Sequence, residues 1–231
     1  MKQTILYLLL GIFLLTSCQQ EEIPNAETAM GTLSLNGISV QVANETVSSR
    51  AVDADLYVEI WQNGAIYNNQ VYAPGQVPNK IELPVGNYQL RTYNAAYQSE
   101  NPYEGKGQAI FFSDATSFEV KAGEVTRLEE IKVPMINFGV TLNLPEEFDA
   151  LFKAYTFTVI SGERTVEWKN GEAIEPAYFS SDTDVTFSYR LEATNMDGEV
   201  FFQEDTYAGV VAGTVYTVTY EMETQLLSVA Q

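Results

Sequence analysis

Cys18 is the residue whose chemistry its neighbours spell out most directly. It is the only cysteine in the chain. It closes Leu15-Thr16-Ser17-Cys18, behind an apolar run from Ile5 to Leu15 that a single charge, Lys2, precedes. A charged start, a short apolar stretch and small residues before a cleavage point make a bacterial secretory signal. A cysteine at that point makes it a lipoprotein signal. The expectation is cleavage before Cys18 and a diacylglycerol on its sulfur, with residues 1–17 removed as a signal peptide. The apolar run is too short to span a bilayer.

Other side chains that could do chemistry are sparse. There is no histidine, which removes the commonest general base, the commonest zinc ligand and the usual serine-hydrolase triad. Glu129/Glu130 and Glu146/Glu147 are adjacent pairs. Neighbours on a strand point to opposite faces, so Glu129 and Glu130 cannot converge on one bond as glycosidase carboxylates must. Asp53-Ala54-Asp55 and Asp182-Thr183-Asp184 alternate carboxylates but lack the further ligands and the glycine of a calcium loop. They read as turn or capping residues. No catalytic residue, metal site or cofactor is expected. Arg50, in a polar stretch between two strands, reads as an exposed loop residue, with proteolytic processing as the alternative. Flat aromatic faces suit the CH groups of sugar rings. Trp61, Trp168 and the tyrosines of residues 95–106, Tyr97 and Tyr103, are therefore the candidate ligand-stacking residues, with core packing as the other reading. Trp61 alternates with Leu56, Val58 and Ile60, which puts it on the opposite strand face.

From Gly31 onward the chain has the period of β-sheet. Val185, Phe187, Tyr189, Leu191 and Ala193 alternate with Thr186, Ser188, Arg190, Glu192 and Thr194. Tyr216, Val218 and Tyr220 alternate with Thr217, Thr219 and Glu221, and Tyr155, Phe157 and Val159 with Thr156, Thr158 and Ile160. One apolar and one polar face implies antiparallel sheets with a wet side. Turn pairs such as Asn63-Gly64, Asn170-Gly171 and Asp197-Gly198 recur between strands. One short helix fits 145–153, with Pro145 at its first position and Phe148, Leu151 and Phe152 on one face.

The two halves repeat each other. Tyr88-x-Leu90-x-x-x-Asn94 matches Tyr189-x-Leu191-x-x-x-Asn195. Phe111-Phe112 precedes Ala122-Gly123 by the spacing that separates Phe201-Phe202 from Ala212-Gly213. The first copy carries an extra loop at 95–106. The fold expected is all-β: two tandem Ig-like/transthyretin-like antiparallel β-sandwich domains, 31–133 and 134–231, with one short helix in the second. Residues 18–30, polar and without periodicity, read as a flexible tether.

Several stretches in order resemble a known family: Gly31-Thr32-Leu33-Ser34-Leu35, Leu56-Tyr57-Val58-Glu59-Ile60, Ile81-Glu82-Leu83-Pro84-Val85-Gly86-Asn87-Tyr88, Asn101-Pro102-Tyr103-Glu104-Gly105, Asn137-Phe138-Gly139-Val140 and Ala177-Tyr178-Phe179. The order resembles the Bacteroides lipoproteins grouped as domain of unknown function 4493, and more distantly the fimbrillin-type tandem β-sandwich proteins of Bacteroidetes. One departure is Glu129-Glu130-Ile131-Lys132-Val133, where family members usually carry a cysteine-bearing strand. Gln19, Gln20, Glu21 and Glu22 resemble the export signal that sends such lipoproteins to the outer face of the outer membrane.

Charge narrows the partners. The chain carries a net −19, and the signal segment holds one lysine and no acid. So acidic a surface repels nucleic acid and anionic lipid. The expected partners are the membrane, through the lipid anchor, and protein strands or surface glycans, with no nucleic acid. Two functional expectations stay open. One is a non-enzymatic structural or adhesion module at the cell surface, such as a fimbria-like subunit or anchor. The other is a glycan-binding lipoprotein that works with outer-membrane nutrient uptake.

Overall fold

The computed structural model describes residues 29–35, 37–42, 45–47, 56–182 and 185–231. Cys18, residues 19–22, Arg50, Asp53, Asp55 and Asp184 lie outside the described residues. The first half holds β1 (Met30–Leu35), β2 (Ile38–Val42), β3 (Glu45–Val47), β4 (Leu56–Gln62) and β5 (Ala65–Tyr72), then β6 (Lys80–Pro84), β7 (Gly86–Asn94), β8 (Phe112–Val120), β9 (Val125–Leu128) and β10 (Ile131–Pro134). The second holds β11 (Phe138–Asn143), β12 (Phe152–Ser161), β13 (Arg164–Lys169) and β14 (Ala177–Phe179), then β15 (Phe187–Asn195), β16 (Val200–Tyr207), β17 (Val215–Glu221) and β18 (Leu226–Ala230).

The repeat seen in the sequence is a repeat of topology. One sheet of the first half runs β5-β4-β7-β8, and one of the second runs β13-β12-β15-β16. Facing them are β6-β1-β9 and β14-β11-β17-β18. A small third sheet, β10-β2-β3, completes the first half. The Tyr-x-Leu-x-x-x-Asn motifs fall on β7 and β15, the matching central strands. The motif asparagine does the same work in both copies. Asn94 Oδ1 accepts from Phe111 N at 3.0 Å, and Asn195 Oδ1 accepts from Glu199 N at 2.8 Å. Each holds the backbone that returns toward the next strand, a task for a short side chain that accepts from main-chain N–H groups.

Alternation puts one face of each sheet into a core. Leu33, Ile81, Leu83, Ile131 and Val133 meet Leu56, Val58, Ile60, Leu90 and Phe118 in the first half. Phe138, Val140, Phe179, Tyr216 and Val218 meet Phe157, Val159, Trp168, Phe187 and Leu191 in the second. Two layers closed over apolar side chains are β-sandwiches, and each fully buried large apolar residue contributes roughly 1.5–3 kcal/mol.

Two features depart from expectation. Pairing is mostly antiparallel, but β1–β9, β2–β10 and β11–β17 run parallel. These strands lie far apart in sequence, and such long connections permit either direction. Period-two alternation is blind to that direction. Helix is also redistributed. The expected helix is a single turn, Phe148–Leu151, because β12 already begins at Phe152. A second turn, Ala95–Gln98, lies in the extra loop of the first half.

Gly31 marks the tightest approach in the first sandwich. A Cβ there would sit 2.3 Å from the Lys121 carbonyl oxygen and 2.7 Å from Val120 Cγ1. Backbone cannot step aside as a flexible side chain can. Gly31→Ala is expected to lower stability in urea by about 2–3 kcal/mol, at the upper end of overpacking costs. Gly37→Ala, whose nearest neighbour would be 3.8 Å away, is the control and should change it by under about 0.5 kcal/mol. Equal midpoints for the two variants would contradict this packing.

Candidate functional site

The outer face of β5-β4-β7-β8 carries an unusual strip of side chains. Tyr57, Glu59 and Trp61 point outward from β4, beside Tyr93, Arg91 and Gln89 of β7. Beyond them β8 adds Phe112 opposite Tyr93 and Ser117 opposite Gln89. The residues of β4 that alternate with these, Leu56, Val58 and Ile60, are buried in the core.

At one end of the strip the rings stack. Tyr57 lies parallel to Tyr93 at 5.4 Å between centroids. Tyr97, from the one-turn helix of the extra loop, stacks on Phe112 at 4.3 Å and tilts against Tyr93 at 5.5 Å. This outer layer buries Tyr93 to 2% exposure while Tyr97 keeps 39%. Between the rings sits Glu59, only 6% exposed. Its carboxylate accepts from Trp61 Nε1 and from Tyr93 Oη, each at 2.6 Å. Gln98 Nε2 donates to the same Tyr93 oxygen at 2.7 Å. Burial first, then the hydrogen bond and charge of Glu59, push the Tyr93 hydroxyl well above the usual tyrosine range. It therefore stays a donor. Arg91 lies over the Trp61 ring at 3.9 Å and reaches toward Phe112 at 5.7 Å, a cation–π arrangement that holds the indole in place.

At the other end the strip turns polar. Trp61, Gln62, Asn63, Asn87, Gln89 and Ser117 line a shallow depression of about 520 Å³. Asn63-Gly64 makes the bordering hairpin turn, with φ of 52° and 79°. Positive φ at both central residues is the type I′ signature that favours Asn-Gly. Gln89 Nε2 donates to the Asp114 carbonyl.

Of the four candidate stacking residues, the structure brings Trp61 and Tyr97 onto this one face, with Arg91 and Phe112 between them. It separates the other two. Trp168 is a correction. It is 0% exposed, tilts against Phe157 at 5.3 Å and donates from Nε1 to the Glu175 carbonyl at 2.9 Å. It is a core residue and offers no face to a ligand. The signal was in the sequence, since Val166 and Trp168 alternate with Thr165, Glu167 and Lys169 along β13. Tyr57, Glu59, Arg91 and Phe112 were missed as members of the strip. Their strand periods were readable, but the cross-strand register that assembles them was not.

Tyr103 belongs to a different construction, the junction of the halves. Arg164 of β13 donates to the carbonyls of Tyr103, Gly105 (2.8 Å) and Tyr178 (3.1 Å). Lys106 Nζ donates to the Ala173 carbonyl at 3.0 Å, and its own carbonyl accepts from Tyr178 N at 2.8 Å. Asn137 completes the join. Its Oδ1 accepts from Ile110 N at 2.9 Å and its Nδ2 donates to the Gln108 carbonyl at 2.9 Å. The far part of the extra loop thus ties the first half to the second. Desolvation lowers the Arg164 pKa below the usual arginine value, with Tyr103 opposing.

The acidic pairs Glu129/Glu130 and Glu146/Glu147 are exposed. Among the described residues, no group of three or more acidic or thiol side chains is placed to hold a metal ion. No described helix is long and apolar enough to cross a membrane.

A family model described as domain of unknown function (DUF4493) matches residues 29–230. No curated protein matches the chain. Several solved structures are similar. A "putative cell adhesion protein" of Bacteroides fragilis is 10% identical, with a TM-score of 0.43 over 87% of this chain and 96% of that one. Another of that description, from Bacteroides ovatus, is 12% identical, with a TM-score of 0.42 over 87% and 96%. A "putative adhesin" of Bacteroides ovatus is 8% identical, with a TM-score of 0.41 over 87% and 95%. Likeness at this level carries no detail of function.

Proposed function

The chain belongs to the family described as domain of unknown function DUF4493, and we propose that it is a lipid-anchored cell-surface protein acting as a structural and adhesion module. In this reading Cys18 carries the lipid and Gln19, Gln20, Glu21 and Glu22 carry the address to the outer face of the outer membrane. Residues 18–30 form the tether, and two sandwich domains, 31–133 and 134–231, stand beyond it.

The observation that carries the reading is the lock between the halves. Arg164, Lys106 and Asn137 join them through backbone carbonyls and N–H groups, and the Lys106–Glu172 ion pair at 3.9 Å lies beside them. Such a join makes a stiff scaffold, and stiffness lets an anchored module present a partner surface and bear load. The scaffold also leaves open edges. β16 ends its sheet with unbroken register to β15 and exposes Val200 and Phe202 at 62% and 56%. Edge strands are natural places for a partner's strand to add. The role is binding rather than turnover. With no histidine and its one thiol taken by lipid, the chain lacks the usual nucleophile–base pairs. A second reading, a glycan-binding lipoprotein associated with nutrient uptake, is favoured by the strip around Trp61.

The test is Cys18→Ala in cells. Palmitate labelling should vanish, the protein should leave the membrane fraction, and adherence of the cells should fall with it. A variant that keeps its label and its membrane position would refute the anchor. Unchanged adherence after the protein has left the surface would refute the adhesion role.

A further inference from the structure

We propose that the depression beside Trp61 on the outer face of the first sandwich binds a neutral carbohydrate. This rests on the surface-adhesion reading and gives it a ligand class. The lining chemistry is specific. Asn63, Asn87 and Gln89 are the amide-bearing residues of its outer lining, Ser117 adds a hydroxyl, and Gln62 closes the rim with its amide against the Tyr88 hydroxyl. An amide both donates and accepts, and so does a hydroxyl. That matches sugar hydroxyls, each of which also does both. Trp61 supplies the flat apolar face on which the CH side of a sugar ring packs. A volume of about 520 Å³ falls within the roughly 300–1,000 Å³ of small-molecule sites.

Charge selects among glycans. The lining holds no cation and one carboxylate, Glu119, which lies 3.7 Å from Lys121. An acidic sugar would meet no positive partner there, on a chain whose net charge is −19. Arg91 is the cation of the strip, and its guanidinium carbon is engaged 3.9 Å from the Trp61 ring centroid.

The site is held in place before any ligand arrives. Glu59 fixes the indole N–H at 2.6 Å and Arg91 braces the ring at 3.9 Å. The Asn63-Gly64 turn fixes the rim. Gly86 lets the Gln62 amide lie close, since a Cβ at that position would sit 2.8 Å from Gln62 Nε2. Fixed polar groups lose little entropy on binding, so weak single contacts add up.

The experiment uses the purified full chain in detergent with a set of polysaccharides: xylan, mannan, mixed-linkage β-glucan and galactan as neutral probes, and polygalacturonate as the acidic one. At least one neutral probe should retard the protein in an affinity gel, and polygalacturonate should not. The chain has two tryptophans, and Trp168 is fully buried. A ligand-induced shift in tryptophan emission therefore reports Trp61. Trp61→Ala should weaken binding by about tenfold or more, a difference of about 1.4 kcal/mol, and remove the emission shift. Asn87→Ala, exposed and outside any core, should weaken it severalfold without altering the melting curve. Met196→Ala, exposed in the turn between β15 and β16 of the second half, should bind like wild type. Failure of every neutral probe overturns the proposal, as does unchanged binding in both Trp61→Ala and Asn87→Ala. Tighter binding of polygalacturonate overturns the charge argument and the proposal with it. Binding by the purified chain does not depend on the anchor. A wild-type protein that binds glycan in the gel but is not at the cell surface would sink the adhesion reading alone. A surface protein whose adherence survives Trp61→Ala would sink this site alone.

Discussion

Trp168→Ala is expected to cost about 4 kcal/mol, in the middle of the range for deleting a large aromatic from a core. The indole is fully buried between the two sheets of the second half, against Phe157. Its loss removes the largest fully buried side chain in the described structure. It also removes the hydrogen bond that Nε1 donates to the Glu175 carbonyl at 2.9 Å, a loss of roughly 0.5–1.5 kcal/mol. Lys106, whose Nζ sits 5.3 Å from the ring centroid, loses its cation–π partner as well. The measurement is urea unfolding followed by circular dichroism. The midpoint should fall steeply, and the second half should lose structure first. Trp61→Ala should cost less than half as much, because that ring is only half-buried on an outer face. A cost for Trp168→Ala below about 1 kcal/mol would mean that the indole is not packed as described.

Arg164→Ala is expected to uncouple the halves. One guanidinium serves three carbonyls on two segments: Tyr103 and Gly105 of the loop and Tyr178 of β14. Hydrogen bonds from a charged donor contribute roughly 1.5–3 kcal/mol each in a protein, but here they act as a unit and do not add. A total loss of about 3 kcal/mol follows, concentrated in the loop and the junction. Trypsin or chymotrypsin should cut within 99–108 about tenfold faster, since local opening, not global unfolding, exposes that stretch. Arg164→Lys should rescue little. A lysine ammonium is a point donor on a flexible stem and cannot span the planar fork. If cleavage rates stay at the wild-type level in both variants, the junction is held by something other than Arg164.

These two variants mark where the sequence could be read and where it could not. Period-two alternation was legible in β12, β15 and β17, and it named their buried faces residue by residue. The internal repeat was legible too, because a motif such as Tyr-x-Leu-x-x-x-Asn is local, and its asparagine closes a local loop in each copy. The loop at 95–106 was visible as an insertion and read as a recognition element. In the structure its helical turn supplies Tyr97 to the strip, while its later residues serve the join to the second half.

What the sequence by itself determined is the class of the molecule. Alternation specifies an all-β chain, and the absence of histidine limits its chemistry. Those are properties of neighbours along the chain. Tertiary structure alone decided which strands run parallel and that Glu59, Trp61, Arg91, Tyr93 and Phe112 share a surface. The physical reason is that alternation fixes only the side of the sheet on which a residue lies. What covers that side is set by register between strands and by segments distant in sequence. Val166 and Trp168 alternate like any inward pair, and Trp61 like any outward residue. Only the closing of the second sheet over one and the packing of Arg91 on the other separates a core residue from one available to a ligand.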